Sequence, residues 1–187
     1  MKIQVGVSNR HIHLTEEHYK LLFGDKQMEK VRDLNQPGQF ASNDFVTLKT
    51  DKSTIEKVRV IGPVRDYTQV EISRTDAIKL GLNPPIRESG DLLGSSPITL
   101  VGPKGTLNLE SGCIIADRHI HVDDEIIKYY KLEGVKEVNI LVNGEKGGIL
   151  SHVHLKHSKK AYFELHLDTD DANGFMLKQG DIVEIIK

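Results

Sequence analysis

Hydrophobic and polar residues alternate along most of this 187-residue chain, and a period of two predicts many short strands. The predicted strands cover residues 2–7, 29–34, 45–50, 55–61, 69–72, 98–101, 106–109, 137–142, 148–156, 161–167 and 182–186. Helical spacing occurs in four short segments, 15–23, 74–80, 123–130 and 170–176. Residues 83–96 contain two prolines and two glycines without a clear period, so they are predicted to form a functional loop. The pattern therefore favours a mainly β protein with short helices.

The tetrapeptide Arg-His-Ile-His occurs at residues 10–13 and again at residues 118–121, and 108 positions separate His11 from His119. In an extended strand, residues i and i+2 point to the same face, so each pair of imidazoles stands side by side. The isoleucine between them points the other way, towards a core. A predicted helix and several strands follow each copy, which indicates a duplicated barrel-like unit. No Pro/Ser-rich linker separates the copies, so the two units are expected to share strands.

The composition excludes several classes of protein. The chain carries 25 basic and 27 acidic residues, a net charge of −2, and no tryptophan, which argues against a nucleic-acid-binding surface. No apolar stretch approaches the length that crosses a membrane. A single cysteine excludes an intramolecular disulfide and fits a reducing compartment. We therefore expect a cytoplasmic protein without nucleic-acid or membrane partners.

Two neighbouring imidazoles supply two of the three protein ligands of a catalytic zinc site. The third ligand of each pair must be His, Asp or Glu, because one cysteine cannot build a thiolate-rich site. Glu71 and His166 are candidates, although an exposed strand carboxylate and a core histidine are the alternative interpretations. A further pair, His152 and His154, is interpreted as part of a solvated face. The arginine before each His-Ile-His is expected to anchor its turn by pairing with a carboxylate.

Five segments in this order carry a resemblance to a known family: Val-Gly-Val-Ser-Asn-Arg-His-Ile-His-Leu (5–14), Pro-Gly-Gln-Phe-Ala (37–41), Gly-Pro-Val-Arg with Thr-Gln-Val-Glu-Ile-Ser (62–73), Arg-His-Ile-His (118–121) and His-Leu-Asp-Thr-Asp-Asp-Ala-Asn (166–173). From end to end, the chain resembles the phosphate propanoyltransferases, the phosphotransacylases of propanediol-utilisation (propanediol degradation) microcompartments. The resemblance implies two small β-barrels capped by short helices. In that arrangement residues 1–8 and 117–187 form one discontinuous barrel, which the N-terminal strand joins, and residues 9–116 form the other. It also implies two zinc ions between the barrels and a homodimer.

The resemblance also assigns residues to roles. One zinc matches His11, His13 and Glu71, with the sulfur of coenzyme A as a further ligand, and the other matches His119, His121 and His166. Arg65 corresponds to the catalytic, phosphate-binding arginine, and the other implied phosphate or substrate contacts are Gln69, Gln36, Gln39, Ser89 and Lys156. Lys156 stands where the family usually has arginine, and lysine cannot hold phosphate with two parallel hydrogen bonds. The implied coenzyme A contacts are Ser8, Arg32, Arg59 and Asn173.

These residues suit reversible acyl transfer between acyl-CoA, either propanoyl-CoA or acetyl-CoA, and inorganic phosphate, giving acyl phosphate and CoA. Zinc lowers the pKa of a coordinated thiol and polarises a carbonyl, and the chain offers no dedicated nucleophile, so direct transfer in a ternary complex is expected. Two alternatives are a metal-dependent hydrolase, whose amidohydrolase class requires an eight-fold α/β barrel, and a non-catalytic β-barrel module that binds metal or small ligands. Microcompartment members usually carry an N-terminal targeting extension. Here Met1 lies almost at the first strand, so a free cytosolic enzyme is expected at least as much as an encapsulated one.

Overall fold

A computed structural model describes residues 1–186, and within them strands greatly outnumber helices. The strands are β1 (Lys2–Ser8), β2 (His11–His13), β3 (Lys30–Asp33), β4 (Phe40–Lys49), β5 (Thr54–Gly62), β6 (Gln69–Glu71), β7 (Ile86–Arg87), β8 (Ser96–Val101), β9 (Thr106–Ala116), β10 (His119–Val122), β11 (Glu137–Val142), β12 (Gly148–His157), β13 (Glu164–Asp168) and β14 (Ile182–Ile186). The helices are α1 (Glu16–Phe23), α2 (Arg74–Leu80), α3 (Asp124–Tyr130) and α4 (Thr169–Gly174). The predicted mainly β class is confirmed.

The helices begin and end where capping residues satisfy their free backbone groups. The Thr15 hydroxyl accepts a hydrogen bond from the backbone N–H of His18 at 3.2 Å, and Gly24 follows α1 with φ of 76°. In α2, Ser73 accepts from the N–H of Asp76 at 3.2 Å, and Gly81 adopts a left-handed conformation at the end. Short, well-capped helices therefore follow the histidine strands and the strands that lie beside them.

The strands close into two separate six-stranded rings. One ring has the order β1-β13-β10-β12-β11-β14. In the other, β4-β5-β2-β6-β9 is closed by β8, which pairs with both β9 and β4, while β3 and β7 pair only at its margins. The predicted pair of barrels is confirmed, and so is the placement of the N-terminal strand β1 in the barrel built by the C-terminal part of the chain.

The two rings have the same topology. The His-Ile-His strands β2 and β10 each pair in parallel with one neighbour, β5 or β12, and antiparallel with the other, β6 or β13. The remaining pairings correspond in the same way, with β4, β8 and β9 matching β11, β14 and β1. The register places Glu71 opposite His11 and His166 opposite His119. The duplication predicted from the repeated tetrapeptide therefore extends to whole barrels.

Contacts divide the chain into two compact units, one of residues 1–9 with the segment from 117 onward and one of residues 10–116. Each has its own hydrophobic core. Ile12 and Ile120 are fully buried in these cores, as predicted for the residue between two site-facing histidines. Burying such a side chain contributes about 2 kcal/mol, so each core fixes the orientation of the histidines on either side of its isoleucine.

Several strand boundaries differ from the prediction because polar residues are paired inside the sheet. β4 begins at Phe40, five residues earlier than predicted, and includes the buried Ser42 and Asp44. The Ser42 hydroxyl donates to the carbonyl of Val60 at 2.8 Å, and Asp44 accepts from the Tyr19 hydroxyl at 2.7 Å. β9 continues to residue 116, the two-residue strand β7 lies within the predicted loop 83–96, and β13 begins three residues later than predicted.

Two further observations concern the class of protein: one is about the helices and the other about the strands. Within residues 1–186, no helix combines the length and the apolar composition needed to span a bilayer. Both rings have six strands and contain antiparallel pairs, whereas the amidohydrolase class requires eight parallel strands alternating with helices. The architecture therefore removes the structural basis for that alternative.

Candidate active site

In the unit of residues 10–116, His11, His13 and Glu71 form a three-residue cluster on two neighbouring strands. One potential ligand atom from each side chain lies within 4.8 Å of the others. The Nε2 atom of His11 lies 3.4 Å from Oε2 of Glu71, and the two imidazole rings meet edge to face with centroids 5.1 Å apart. The antiparallel register of β2 and β6 positions these side chains.

In the other unit, the equivalent strands β10 and β13 bring His119, His121 and His166 together within the same 4.8 Å limit. The Nε2 atoms of His119 and His121 are 3.1 Å apart, and the His121 and His166 ring centroids are 4.6 Å apart. The Nδ1 atom of His119 lies 2.8 Å from the backbone carbonyl of Asp117. Donation from Nδ1 to that carbonyl makes Nε2 the unprotonated nitrogen that faces the cluster, the arrangement found at metal-ligating histidines.

Both clusters fit a zinc ion in donor type and spacing. Zinc bonds of about 2.0–2.1 Å in tetrahedral geometry place two ligand atoms roughly 3.3 Å apart, close to the 3.1 Å and 3.4 Å distances observed here. His13 is only 2% exposed, and its buried Nδ1 atom has no hydrogen-bond partner. Buried polar atoms are normally paired, so this atom fits an environment completed by a further ligand. Three protein ligands with an open fourth position are typical of catalytic zinc.

The innermost histidine of each cluster stays neutral, as a metal ligand must. Burial, reinforced by the neighbouring His11 and Arg65, holds the pKa of His13 well below its ordinary value of 6.5. Burial, together with His119, His166 and Lys156, lowers the pKa of His121 to about 2. The lone pairs of these two rings are therefore available at neutral pH.

A polar chain connects Arg65 to the Glu71 cluster. The Nη1 atom of Arg65 donates to the Tyr67 hydroxyl at 3.0 Å and to the Ser89 hydroxyl at 3.3 Å. The Nε2 atom of Gln69 donates to Ser89 at 2.8 Å and to Oε1 of Glu71 at 2.5 Å. Arg65, Gln69 and Ser89, all predicted to bind phosphate, thus lie together beside the metal-ligand cluster. Guanidinium and hydroxyl donors in this arrangement can bind a phosphate group.

The remaining predicted contacts lie elsewhere on the two units. Lys156 is opposite His121 in the β10–β12 register, so it places a cation at the three-histidine cluster. Gln36, which is buried, and Gln39, which is partly exposed, belong to the turn between β3 and β4. The four residues predicted to contact coenzyme A are divided between the units: Ser8 in β1, Asn173 in α4, Arg32 in β3 and Arg59 in β5.

The arginines preceding the histidine pairs are each paired with an acidic residue, as predicted. Arg10 donates to Asp76 of α2 at 2.7 Å, and Arg118 donates to Asp171 of α4 at 3.0 Å. Both acidic residues lie five positions after the third member of their cluster, Glu71 or His166. Each ion pair therefore joins the start of a histidine strand to the helix that follows the third ligand.

Three residues that lie beside the clusters were not among the predicted site residues. Tyr67 contacts Arg65, the Gly90 backbone N–H donates to Oε1 of Gln69 at 2.7 Å, and Glu164 contacts His166 at 2.8 Å. A signal for one of them was present, because Gln69 and Glu164 each precede the third cluster member by two residues on the same strand face.

In the part of the chain that the structure describes, neither the pair His152 and His154 nor Cys113 belongs to a three-residue ligand cluster. His152 is exposed and contacts Glu137 at 2.9 Å, which agrees with a solvated face, whereas His154 is partly buried, lies opposite His119 and contacts Asp117 at 2.9 Å. Cys113 is completely buried, and burial raises the pKa of its thiol to about 12. The chain's single cysteine is therefore not a competent nucleophile.

The comparison with known proteins identifies the family. A family model described as phosphate propanoyltransferase matches residues 4–178. This chain belongs to the phosphate propanoyltransferase family. Among its relatives, all named phosphate propanoyltransferase, the Thermotoga maritima protein is 46% identical over 99% of this chain and 89% of its own length. The Lachnoclostridium phytofermentans protein is 45% identical over 98% and 87%, and the Rhodopseudomonas palustris protein is 40% identical over 100% and 83%.

Membership of the phosphate propanoyltransferase family supports a transferase, with phosphate acyltransferase activity, as the function of this chain. Acyl-CoA and phosphate are substrates that fit this family, and coenzyme A is consistent with them. Among residues 1–186, the two three-residue clusters are candidate metal-binding groups, and the Arg65 chain adjoins one of them.

Proposed function

We propose that this chain transfers an acyl group, propanoyl or acetyl, reversibly between coenzyme A and inorganic phosphate. One observation carries the proposal most directly. A three-ligand cluster occurs at the same place in each of two equivalent barrels, and the Arg65 chain adjoins one of them. Two metal centres and an anion-binding group suit a reaction whose substrates carry phosphate, a carbonyl and a thiol.

The proposed metal is zinc, two ions per chain. His11, His13 and Glu71 would hold one ion, and His119, His121 and His166 would hold the other. When bound, zinc in such sites supplies a positive charge that lowers the pKa of a thiol and polarises a carbonyl oxygen. The protein keeps the required imidazoles neutral by burying His13 and His121.

The proposed role of Arg65 is to bind and orient the phosphate group. Its guanidinium presents donors in the planar arrangement that matches two phosphate oxygens. Tyr67 and Ser89 hold the side chain in position through contacts of 3.0 and 3.3 Å. Arg65 would thus neutralise charge on the phosphate as it leaves an acyl phosphate, or orient it for attack in the reverse direction.

We propose direct transfer within a ternary complex. Coenzyme A first loses its thiol proton to solvent, and the resulting thiolate sulfur forms a bond to the acyl carbon; the bond from that carbon to the phosphate oxygen breaks, and the electron pair leaves with phosphate. The buried thiol of Cys113 supports this route, because a protonated, inaccessible thiol does not accept an acyl group. Ser8, Arg32, Arg59 and Asn173 remain the predicted coenzyme A contacts, and Lys156, Gln36 and Gln39 remain predicted substrate contacts.

The proposal is tested by mixing the zinc-loaded protein with propanoyl or acetyl phosphate and coenzyme A, and following thioester absorbance. Thioester formation at substrate-dependent rates is expected. Hydrolysis of acyl phosphate without coenzyme A would favour a metal-dependent hydrolase, and zinc binding without turnover would favour a binding module. An acyl group covalently attached to the protein, found after incubation without coenzyme A, would contradict direct transfer.

A matched pair of variants tests the role of Arg65. Arg65→Ala should raise the phosphate KM about 100-fold, the effect of losing a charge-assisted hydrogen-bonding partner worth roughly 2–3 kcal/mol. Zinc content should stay at the wild-type value. The control is Arg74→Ala, which removes the same side chain from an exposed position in α2 and should change neither quantity. Loss of metal from Arg65→Ala would show that the assigned role is wrong.

The resemblance also predicts a homodimer, and microcompartment association is the alternative to a free cytosolic role. We propose the homodimer, together with one of these two locations, for this chain. Sedimentation of the purified protein would measure the first. Co-purification with shell proteins would measure the second.

A further inference from the structure

Glu164 is a buried carboxylate that lies behind the three-histidine cluster. Its side chain is 3% exposed, and its Oε2 atom lies 2.8 Å from Nε2 of His166, two residues further along β13. Acidic residues are almost never this deeply buried unless a partner compensates for the lost hydration. The contact with His166 therefore supplies a partner for a carboxylate that has lost its hydration.

Gly6 provides the space that this contact requires. β1 pairs in parallel with β13, and Gly6 is directly opposite His166 in the register. A Cβ atom at position 6 would lie 2.7 Å from both Cδ and Oε2 of Glu164, much closer than real Cβ contacts allow. Any other residue at this position would displace the carboxylate from His166.

Gln179 defines the other side of the carboxylate. The backbone N–H of Val7 donates to Oε1 of Gln179 at 2.7 Å, which fixes the orientation of the side-chain amide. Its Nε2 group therefore faces Oε1 of Glu164, at 3.5 Å. An amide nitrogen only donates, so this side of Glu164 acts as an acceptor. With His166 at the other oxygen, each carboxylate oxygen faces a nitrogen.

We propose that Glu164 is a positioning residue for His166. Its carboxylate accepts a hydrogen bond from Nε2–H of His166, and this fixes the tautomer that leaves the Nδ1 lone pair for a metal ion. Metal-ligating histidines commonly donate their second ring N–H to a carboxylate, which orients the ring and raises its basicity. The inference rests on the proposed function, because it assigns His166 to a metal centre.

The equivalent position in the other barrel supports this assignment. Gln69 also precedes the third ligand by two residues, and its Nε2 group donates to Oε1 of Glu71 at 2.5 Å. A carboxylate ligand thus has a donor behind it, whereas an imidazole ligand has an acceptor behind it. Each barrel therefore contains one carboxylate in such a pair. It is the proposed ligand Glu71 in one barrel, and Glu164, two residues before the proposed ligand, in the other.

The first test needs no metal. Nitrogen-15 NMR of the metal-free protein reports which ring nitrogen of His166 carries the proton. We expect the Nε2–H tautomer in the wild type, and loss of this preference in Glu164→Leu, which removes the acceptor. An Nδ1–H tautomer in the wild type would overturn the proposal, whether or not the protein transfers acyl groups.

The second test measures zinc affinity at this cluster alone, by chelator competition in a His13→Ala background that lacks the other centre. Glu164→Gln keeps the shape of the side chain but removes its charge, and should weaken zinc binding 10- to 100-fold. Gly6→Ala should also weaken zinc binding, since the added Cβ displaces the carboxylate of Glu164. The matched controls are Glu133→Gln, at an exposed position, and Gly174→Ala, where an added Cβ meets no atom within 4 Å.

The outcomes distinguish the inference from the proposed function. Unchanged zinc affinity in Glu164→Gln would overturn the positioning role and leave the two-zinc proposal intact. Failure of the parent protein to bind zinc at His119, His121 and His166 would contradict the proposed function, while the tautomer measurement would still decide the role of Glu164.

Discussion

The two barrels build their ligand clusters on equivalent strands, but they differ in the third ligand. His11 and His119 occupy the same register position, yet they face Glu71 in one barrel and His166 in the other. A zinc ion held by two imidazoles and a carboxylate would keep one positive charge, and one held by three imidazoles would keep two. Duplication therefore supplied two copies of one scaffold, and the third position gave them different electrostatics.

The surroundings of the clusters differ in a related way. The carboxylate cluster adjoins Arg65, which can bind phosphate with two hydrogen bonds, whereas the three-histidine cluster adjoins Lys156, a point charge. The cluster whose ion would be less positive thus has the stronger anion-binding group beside it. This difference favours distinct roles for the two clusters.

The largest effect is expected from removing the innermost ligand of either cluster. His13→Ala and His121→Ala should each reduce zinc from two ions to one per chain and lower acyl transfer at least about 1000-fold, since even partners behind a ligand contribute 10- to 100-fold. Elemental analysis and the thioester assay measure both quantities. His157→Ala, on the exposed part of β12, is the control and should keep both ions. If either ligand variant retained two ions, its cluster would not be a zinc site.

The arginine anchors should differ in their contribution to stability. Arg10→Ala leaves Asp76, whose side chain is 6% exposed, without its guanidinium partner, and should lower the free energy of unfolding by about 2–3 kcal/mol. Arg118→Ala breaks the ion pair with Asp171, whose two side chains are 30% and 26% exposed. It should lower the free energy of unfolding by about 1 kcal/mol. Urea unfolding of the zinc-free protein measures both. Equal losses would mean that burial of the acidic partner does not decide the contribution.

The features predicted from sequence are those that depend on local pattern or on the repeat. The caps Thr15 and Ser73, the buried Ile12 and Ile120, and the two barrels all follow from alternation, capping chemistry, the duplicated tetrapeptide or the family resemblance. These signals are carried by neighbouring residues or by a recurring segment, so they survive without knowledge of the fold.

The contacts that were missed depend on pairing between distant strands. Ser42 and Asp44 look like turn residues, but partners on β5 and α1 hold them within a strand. The contact between Glu164 and His166 requires the absence of a side chain at Gly6, 158 positions before Glu164. No local pattern contains that information, because it depends on which strands β1 pairs with.

Exchanging the third ligand should have an intermediate effect. Glu71→His recreates the three-histidine set in the other barrel, but it places the Gln69 amide, a donor, behind a ring that requires an acceptor. Zinc affinity at this cluster should fall about 30-fold, within the range for disturbed partners of a ligand. Adding Gln69→Glu supplies the acceptor and should raise the zinc affinity again by about tenfold. If the double variant bound zinc no better than the single one, the residue two positions before the third ligand would not matter.

The smallest effect should come from exchanging the two cations. Arg65→Lys keeps the charge but removes the planar pair of donors, so the phosphate KM should rise about tenfold, equivalent to roughly 1.4 kcal/mol, while zinc content stays the same. Lys156→Arg adds such a pair beside the three-histidine cluster and should change the phosphate KM by less than about threefold. Steady-state kinetics at saturating coenzyme A separate KM from kcat for each variant. A large decrease in KM for Lys156→Arg, together with little change for Arg65→Lys, would mean that phosphate is bound mainly beside the three-histidine cluster, and the roles assigned to the two barrels would have to be exchanged.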